Sequence, residues 1–292
     1  MSRSNNKPLK NDADGAQRER RAHWAEQTIE MAELCEGLEP ATAIDARPLK
    51  KAIENPLSRT TLGFVDQFSG EAALSLAQSG RVTATLIFGS AKNPGGGWRR
   101  GSRAQEEDVS LASTWGVQAE RSTGFFDKDI GFMGPNKILA AEGFWLAQGQ
   151  ADWLPDPVAG LFVGVSAPNL SWAAQSNKKI DAAKTQTALA ERLARALEWA
   201  ASKHCESFVG GLIGCGVFGW EPAECAKSWA IALSMAQRVP AQIVFACPGR
   251  PEGRQAFSRA LFSALGADPA EERSLSHGQA SGSLGRKRLG QP

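Results

Sequence analysis

The stretch Gly95-Gly96-Gly97-Trp98-Arg99-Arg100-Gly101-Ser102-Arg103-Ala104-Gln105-Glu106-Glu107 joins a predicted strand, residues 82–88, to a predicted helix, residues 106–115. Three consecutive glycines let the backbone take positive φ and let another molecule approach closely. Adjacent residues on a helix point about 100° apart, so we expect one of the two carboxylates to reach a reacting bond while the other orients the substrate. The alternative interpretation is a flexible turn followed by a solvated helix start, where Glu is favoured by the helix dipole.

A second glycine-rich stretch has a similar setting. It reads Gly210-Gly211-Leu212-Ile213-Gly214-Cys215-Gly216-Val217-Phe218-Gly219, begins in a predicted strand at residues 208–213, and precedes Pro222, which suits the first turn of a helix. Backbone N–H groups at such a strand–turn–helix junction can bind an anion such as a diphosphate, although a plain tight turn has the same pattern. Ligands of open α/β sheets bind outside the carboxyl ends of the strands, so the two loops together predict one crevice.

The rest of the chain alternates between strand-like and helix-like patterns, which predicts an α/β domain with helices on both faces of the sheet. Strands are predicted at residues 60–65, 82–88, 138–145, 160–165, 208–213 and 243–246, with Pro155 and Pro157 separating the third from the fourth. Helices are predicted at residues 18–36, 106–115, 181–203, 222–238 and 256–265, and Ser69 can cap a further helix that Gly80 stops. Residues 1–17 and 266–292 are predicted to be disordered tails.

Composition narrows the function classes. The chain has 292 residues and a formal net charge of +2, which gives no strong electrostatic argument for nucleic acid or membrane. The five cysteines are scattered, with no CxxC pair and no metal-ligand spacing to the three histidines, so neither a disulfide framework nor a zinc site is expected. The chain opens with polar residues and has no apolar run approaching about 18 residues, so we expect a cytoplasmic protein without a signal peptide or membrane span.

The chain resembles the bacterial-type poly(ADP-ribose) glycohydrolases, whose signature on a macrodomain is a GGG, a short spacer and QEE. Residues 86–94 with the first glycine turn and Gln105-Glu106-Glu107 carry the resemblance, together with the second glycine loop. Residues 165–169 resemble the mid-chain strand end of that family, and residues 20–33 resemble its N-terminal helix. The resemblance implies a macrodomain-like mixed sheet with an N-terminal helical extension, spanning residues 18–265.

The resemblance also implies the roles of individual residues in breaking a ribose–ribose O-glycosidic bond. Glu107 is expected to protonate the departing hydroxyl and then activate water, if burial raises its pKa towards working pH. Glu106 is expected to hold the ribose hydroxyls, Gln105 to support the loop, and Phe218 to pack on the terminal ribose. The other expected substrate contacts are Gly95, Gly96, Gly97, Ser90, Asn93, Gly214, Cys215, Gly216, Val217 and Gly219.

Three functions remain open at this point. The first is an exo-acting glycohydrolase that releases ADP-ribose from poly(ADP-ribose) without a metal or cofactor. The second is a hydrolase of mono-ADP-ribosylated protein or nucleic acid, and nucleic acid is expected as a partner only in that case. The third is a non-catalytic ADP-ribose-binding module, which the Glu106-Glu107 pair disfavours because binding alone needs no acid there.

Overall fold

A computed structural model describes four ranges of the chain, which are residues 10–48, 60–149, 151–249 and 251–266. The strands of the described residues form one seven-stranded sheet with the order β1-β4-β5-β3-β6-β7-β2. Their bounds are β1 Thr42–Asp45, β2 Thr61–Val65, β3 Thr83–Phe88, β4 Lys137–Gln148, β5 Asp152–Val165, β6 Ser207–Gly211 and β7 Gln242–Ala246.

The sheet is mixed. β5, β3, β6, β7 and β2 run parallel to one another, whereas β4 is antiparallel to both β5 and β1. The carboxyl ends of the parallel strands therefore meet at one edge of the sheet, where α/β proteins bind their ligands.

Helices cover both faces of this sheet. Their bounds are α1 Lys10–Glu33, α2 Ser69–Gln78, α3 Gln105–Ala112, α4 Trp115–Glu120, α5 Leu170–Gln175, α6 Ala182–Ser202, α7 Pro222–Met235 and α8 Pro251–Ala264. One apolar core packs α6, α7 and α8 against the sheet, and a second packs α1, α2, α3 and α4 against the opposite face. Side chains alternate along β3, so Leu86 enters the first core and Ile87 the second. The predicted fold class, α/β with helices on both faces, is therefore confirmed.

Several boundaries differ from the sequence predictions. Helix α1 begins at Lys10, eight residues before the predicted start and inside the segment predicted to be disordered. Residues 1–9 and 267–292 of the predicted tails lie outside the described residues. The predicted helix over residues 106–115 ends at Ala112, and a separate helix begins at Trp115. Strand β1 and helix α5 were missed, because four and six residues are too few to show a clear period.

Two local predictions were wrong for identifiable reasons. Pro155 and Pro157 do not separate two strands but lie inside β5, between the paired residues Trp153 and Val158, where the register against β4 shifts. A proline has no N–H to donate, and strands accommodate it at such irregularities because no ladder hydrogen bond is needed there. Ser69 does not cap α2, because the N-cap residue is Phe68. The Ser69 hydroxyl instead accepts a hydrogen bond from Gln105. Across the described ranges, no helix is long and apolar enough to span a membrane.

Candidate active site

The two glycine-rich loops lie next to each other. β3 and β6 are neighbouring parallel strands, and each loop begins where its strand ends, at Phe88 and at Gly211. A Cβ built on Gly211 would lie 3.0 Å from the Phe88 ring, so the two strand ends are in van der Waals contact. The structure thus brings both loops to one edge of the sheet, as the crevice interpretation required.

Gln105 joins the first loop to the sheet. Its side-chain amide donates to Leu86 O and to Ser69 Oγ, and its Oε1 accepts the N–H of Phe88, each over 2.8 Å. These three bonds fix the first residue of α3 to the end of β3 and to α2. The amide therefore supports the loop, and its hydrogen-bonding capacity is used by the protein itself.

Glu106 is a buried carboxylate, with only 4% of its surface exposed. Its Oε2 accepts the Ser90 N–H over 2.8 Å, whereas its Oε1 has no hydrogen-bond partner among the described residues. Burial raises the pKa of Glu106 well above its ordinary value; the Ser90 hydrogen bond opposes this shift, and the charge of Glu107 adds to it. An unpaired buried oxygen is costly unless a ligand satisfies it.

Glu107 is half-buried and faces the glycine turn. Its Oε1 accepts the Gly97 N–H over 2.9 Å. Gly96 has φ +65°, and a Cβ built there would lie 2.5 Å from Glu107 Oε1 and 3.2 Å from Glu106 Oε2. Both carboxylates therefore approach one glycine, and a side chain at this position would occupy their space.

The remaining predicted residues of the first loop shape its two ends. Gly95 has φ +63° and packs against the buried Trp98, whose indole N–H donates to Glu120 Oε1 over 2.9 Å. At the other end, Ser90 Oγ accepts the N–H groups of Lys92 and Asn93 over 3.1 and 3.0 Å. The Asn93 side chain is exposed beside this turn.

Helix α1 holds the loop from outside, an arrangement that the motif analysis missed. Arg21, 4% exposed, donates to Ser102 O over 2.9 Å and forms a 2.7 Å ion pair with Asp108. Thr28 donates its hydroxyl to Leu111 O over 2.7 Å. The sequence predicted only a helix over residues 18–36, whereas the partners of Arg21 and Thr28 lie more than 80 residues away in the chain.

The second loop is tightly folded at its ends and exposed at its centre. Gly214 and Gly219 have φ +83° and +78°, and Val217 is 83% exposed. Within the described ranges, the N–H groups of Gly216, Val217 and Phe218 donate to no protein acceptor. These residues lie four to six positions before Pro222, where α7 begins, and unpaired N–H groups before a helix N-terminus are available to donate to an anion.

Cys215 and Phe218 of this loop pack partly on the core formed with α7. Cys215 lies within hydrogen-bonding contact of Cys225, a contact that adds to burial in raising the Cys225 pKa. All five cysteines are free thiols. In the part of the chain that the structure describes, no group of acidic, His or Cys side chains could hold a metal ion.

Known proteins resemble this chain both in sequence and in fold. The family model described as "Microbial-type PARG, catalytic domain" matches residues 13–131, a range that contains α1, the first glycine turn and both glutamates. The match covers 119 of the 292 residues, and over this range the sequence is similar to the microbial-type poly(ADP-ribose) glycohydrolases. The matched model describes a catalytic domain, so the prediction of a poly(ADP-ribose) glycohydrolase-like enzyme is confirmed. No curated protein sequence matches the chain.

Solved glycohydrolase structures share the fold over most of the chain. The poly(ADP-ribose) glycohydrolase from Thermomonospora curvata is 22% identical with a TM-score of 0.68, and the alignment covers 83% of this chain and 100% of that one. The same enzyme bound to the inhibitor ADP-HPD aligns with a TM-score of 0.66 at 22% identity, covering 83% and 99% of the two chains. The Deinococcus radiodurans enzyme in complex with ADP-ribose is 24% identical with a TM-score of 0.61, covering 88% and 100%.

Proposed function

We propose that this glycohydrolase releases ADP-ribose from poly(ADP-ribose), with Glu107 as the acid and base of the reaction. The observation that carries the proposal is the carboxylate pair at the glycine turn, where buried Glu106 has an unpaired oxygen and Glu107 lies beside it. The relatives whose structures contain ADP-ribose or ADP-HPD support a substrate that contains ADP-ribose. The family match to residues 13–131 supports hydrolysis.

The two carboxyl groups have different tasks in this proposal. Glu106 Oε1 accepts a ribose hydroxyl, which satisfies the oxygen that the protein leaves unpaired. Glu107 donates its proton to the ribose oxygen that leaves with the rest of the polymer, while the bond from the anomeric carbon breaks. The resulting Glu107 carboxylate takes a proton from water, which restores the acid, and the water oxygen bonds to the anomeric carbon. Gln105 acts only by positioning α3.

The diphosphate of the substrate is proposed to bind the second loop. The diphosphate oxygens accept hydrogen bonds from the N–H groups of Gly216, Val217 and Phe218, close to the positive end of the α7 dipole. Gly214, Cys215 and Gly219 give this loop its shape, and the Phe218 ring packs on the terminal ribose. Ser90 and Asn93, with the turn of Gly95–Gly97, bound the ribose from the other side. A cytoplasmic location agrees with five free thiols and remains a prediction.

Glu107→Gln tests this proposal. Loss of general acid catalysis should lower turnover of poly(ADP-ribose) about 10²–10⁴-fold, while ADP-ribose still binds in calorimetry. Glu30→Gln, an exposed change on α1, is the matched control and should turn over substrate normally. Unchanged turnover in Glu107→Gln would remove the mechanism. If the wild-type protein hydrolysed only mono-ADP-ribosylated substrates, the substrate would be a mono-modified macromolecule and not the polymer. If the wild-type protein bound ADP-ribose but hydrolysed no substrate, it would be a non-catalytic ADP-ribose-binding module.

A further inference from the structure

An exposed tryptophan lies between the two loops. Trp172, on α5, is 41% exposed, and Lys92 Nζ lies 6.0 Å from the centroid of its ring. That separation is at the outer limit of a cation–π contact, so the interaction is weak and the indole face is easily uncovered. Lys92 is itself exposed, and no carboxylate of the described residues forms an ion pair with it.

Backbone hydrogen bonds fix this pair beside the proposed ribose position. Lys92 N–H donates to Ser90 Oγ over 3.1 Å, and the Ser90 N–H in turn donates to Glu106. On the other side, the N–H of Ser171 donates to Phe218 O over 3.1 Å, so Trp172 follows a residue bound to the second loop. The pair is therefore attached to both loops, next to the residues that we assign to the terminal ribose.

The chemistry of the pair matches a second nucleotide. An exposed indole face offers a stacking platform to a nucleobase of any sequence, and an unpaired ammonium group attracts a phosphate. The terminal ADP-ribose already has proposed partners for its diphosphate and ribose on the two loops. Beyond its anomeric carbon, the polymer continues as another ADP-ribose unit, which is the leaving group.

From this arrangement we infer that Trp172 and Lys92 form a subsite for the leaving ADP-ribose unit. The adenine of that unit stacks on Trp172, and its diphosphate pairs with Lys92, which moves off the ring when the base arrives. The inference rests on the proposed function, because it takes the position of the terminal ribose from it. Such a subsite would make the enzyme bind polymer more tightly than a single ADP-ribose attached to a protein side chain.

The test uses the full chain with Glu107→Gln, so that the ligands are not cleaved. Calorimetry compares the Kd of ADP-ribose with that of an ADP-ribose dimer. A leaving-unit subsite makes the dimer bind about tenfold more tightly than the monomer, since stacking of one base contributes on this scale. Adding Trp172→Ala should abolish the difference, Trp172→Phe should keep most of it, and Lys92→Ala should reduce it and flatten the salt dependence. Lys179→Ala, an exposed lysine without an ion pair, is the charge-matched control.

The outcomes separate the inference from the proposed function. Failure of ADP-ribose itself to bind would contradict the proposed function and the subsite together. Normal ADP-ribose binding with an equal dimer Kd, or with a dimer advantage that survives Trp172→Ala, would overturn the subsite alone. If Trp172→Ala weakened ADP-ribose and dimer equally, the indole would contact the terminal unit, and the leaving-unit assignment would be wrong.

Discussion

The Gly97 N–H and Glu107 Oε1 are joined by a 2.9 Å hydrogen bond across ten residues of sequence. The backbone of the glycine turn thereby holds the carboxylate to which we assign the proton transfer. The neighbouring Gly96 leaves room for that carboxylate and for Glu106, because it has no side chain to displace them. The shape of the turn should therefore affect turnover more than it affects the stability of the domain.

Gly96→Ala tests this dependence. The added methyl would lie 2.5 Å from Glu107 Oε1, and alanine at φ +65° costs about 1–2 kcal/mol of folding free energy. Gly124→Ala is the matched control, because Gly124 has φ +78° and nothing within 4 Å of a built Cβ. We expect similar Tm losses for the two variants but at least about a 10²-fold lower turnover only for Gly96→Ala. Equal turnover in the two variants would show that the turn does not position the carboxylates.

Gln105→Ala removes the three hydrogen bonds that attach α3 to β3 and α2. We expect a loss of about 1–3 kcal/mol in the free energy of unfolding, because the partners are left unpaired, together with a lower kcat. Gln118→Ala is the comparison: this buried amide also makes three hydrogen bonds, to Glu39 O, Glu142 O and Thr114, but its partners lie outside the glycine loops. Denaturant unfolding and polymer turnover should show similar stability losses and a kcat defect confined to Gln105→Ala. A matching kcat defect in Gln118→Ala would mean that general loosening, not α3 position, limits turnover.

Arg21 and Asp108 should contribute unequally although they form one ion pair. Arg21 is buried and also binds Ser102 O, whereas 44% of the Asp108 side chain is exposed. Arg21→Ala should lower the free energy of unfolding by about 1–3 kcal/mol, since it leaves Ser102 O without its partner and opens the contact between α1 and the loop. Asp108→Ala should cost under about 1 kcal/mol. Urea unfolding of both single variants and the double variant measures the coupling, and equal single losses would contradict this account.

The sequence was sufficient to place both loops at one edge of an α/β sheet. Each glycine stretch follows a strand, and the parallel strands of one sheet have their carboxyl ends on the same side, so the local pattern and the general rule for α/β sheets predict the same place for both loops. The spacing of Gly97 and Glu107 could also be interpreted locally, because both lie within one loop and the first turn of a helix. Which carboxylate is more buried could not be read from the pattern, since burial depends on packing against β3.

Features that depend on distant parts of the chain could not be predicted. Arg21 reads as a polar residue on an amphipathic helix, and only the folded chain brings it to Ser102 and Asp108. Likewise, α5 has only six residues, and Trp172 becomes a candidate contact only because Lys92 approaches it from another loop. Long-range partners of this kind leave no periodic trace in a single sequence.

Glu106→Gln should raise the free energy of unfolding at neutral pH and lower the turnover of polymer. The folded protein holds the Glu106 proton more tightly than the unfolded chain, because burial raises the carboxyl pKa. As pH rises above the ordinary Glu pKa of about 4.3, the unfolded chain loses this proton first, so the wild-type free energy of unfolding falls until the raised pKa is passed. Glutamine keeps an acceptor for the Ser90 N–H and has no proton to lose.

The variant should therefore have a higher free energy of unfolding than the wild type at pH 8, by about 1.4 kcal/mol for each unit by which burial raises the Glu106 pKa. The difference should shrink as the pH falls below about 4.3, where Glu106 becomes protonated in both states. Denaturant unfolding between pH 4 and 8 measures this difference. Polymer turnover should fall, because the ribose hydroxyl loses the carboxyl oxygen of Glu106 as its acceptor. A stability gap that stays constant with pH would mean that Glu106 titrates normally in the folded protein, and that the unpaired oxygen is reached by water.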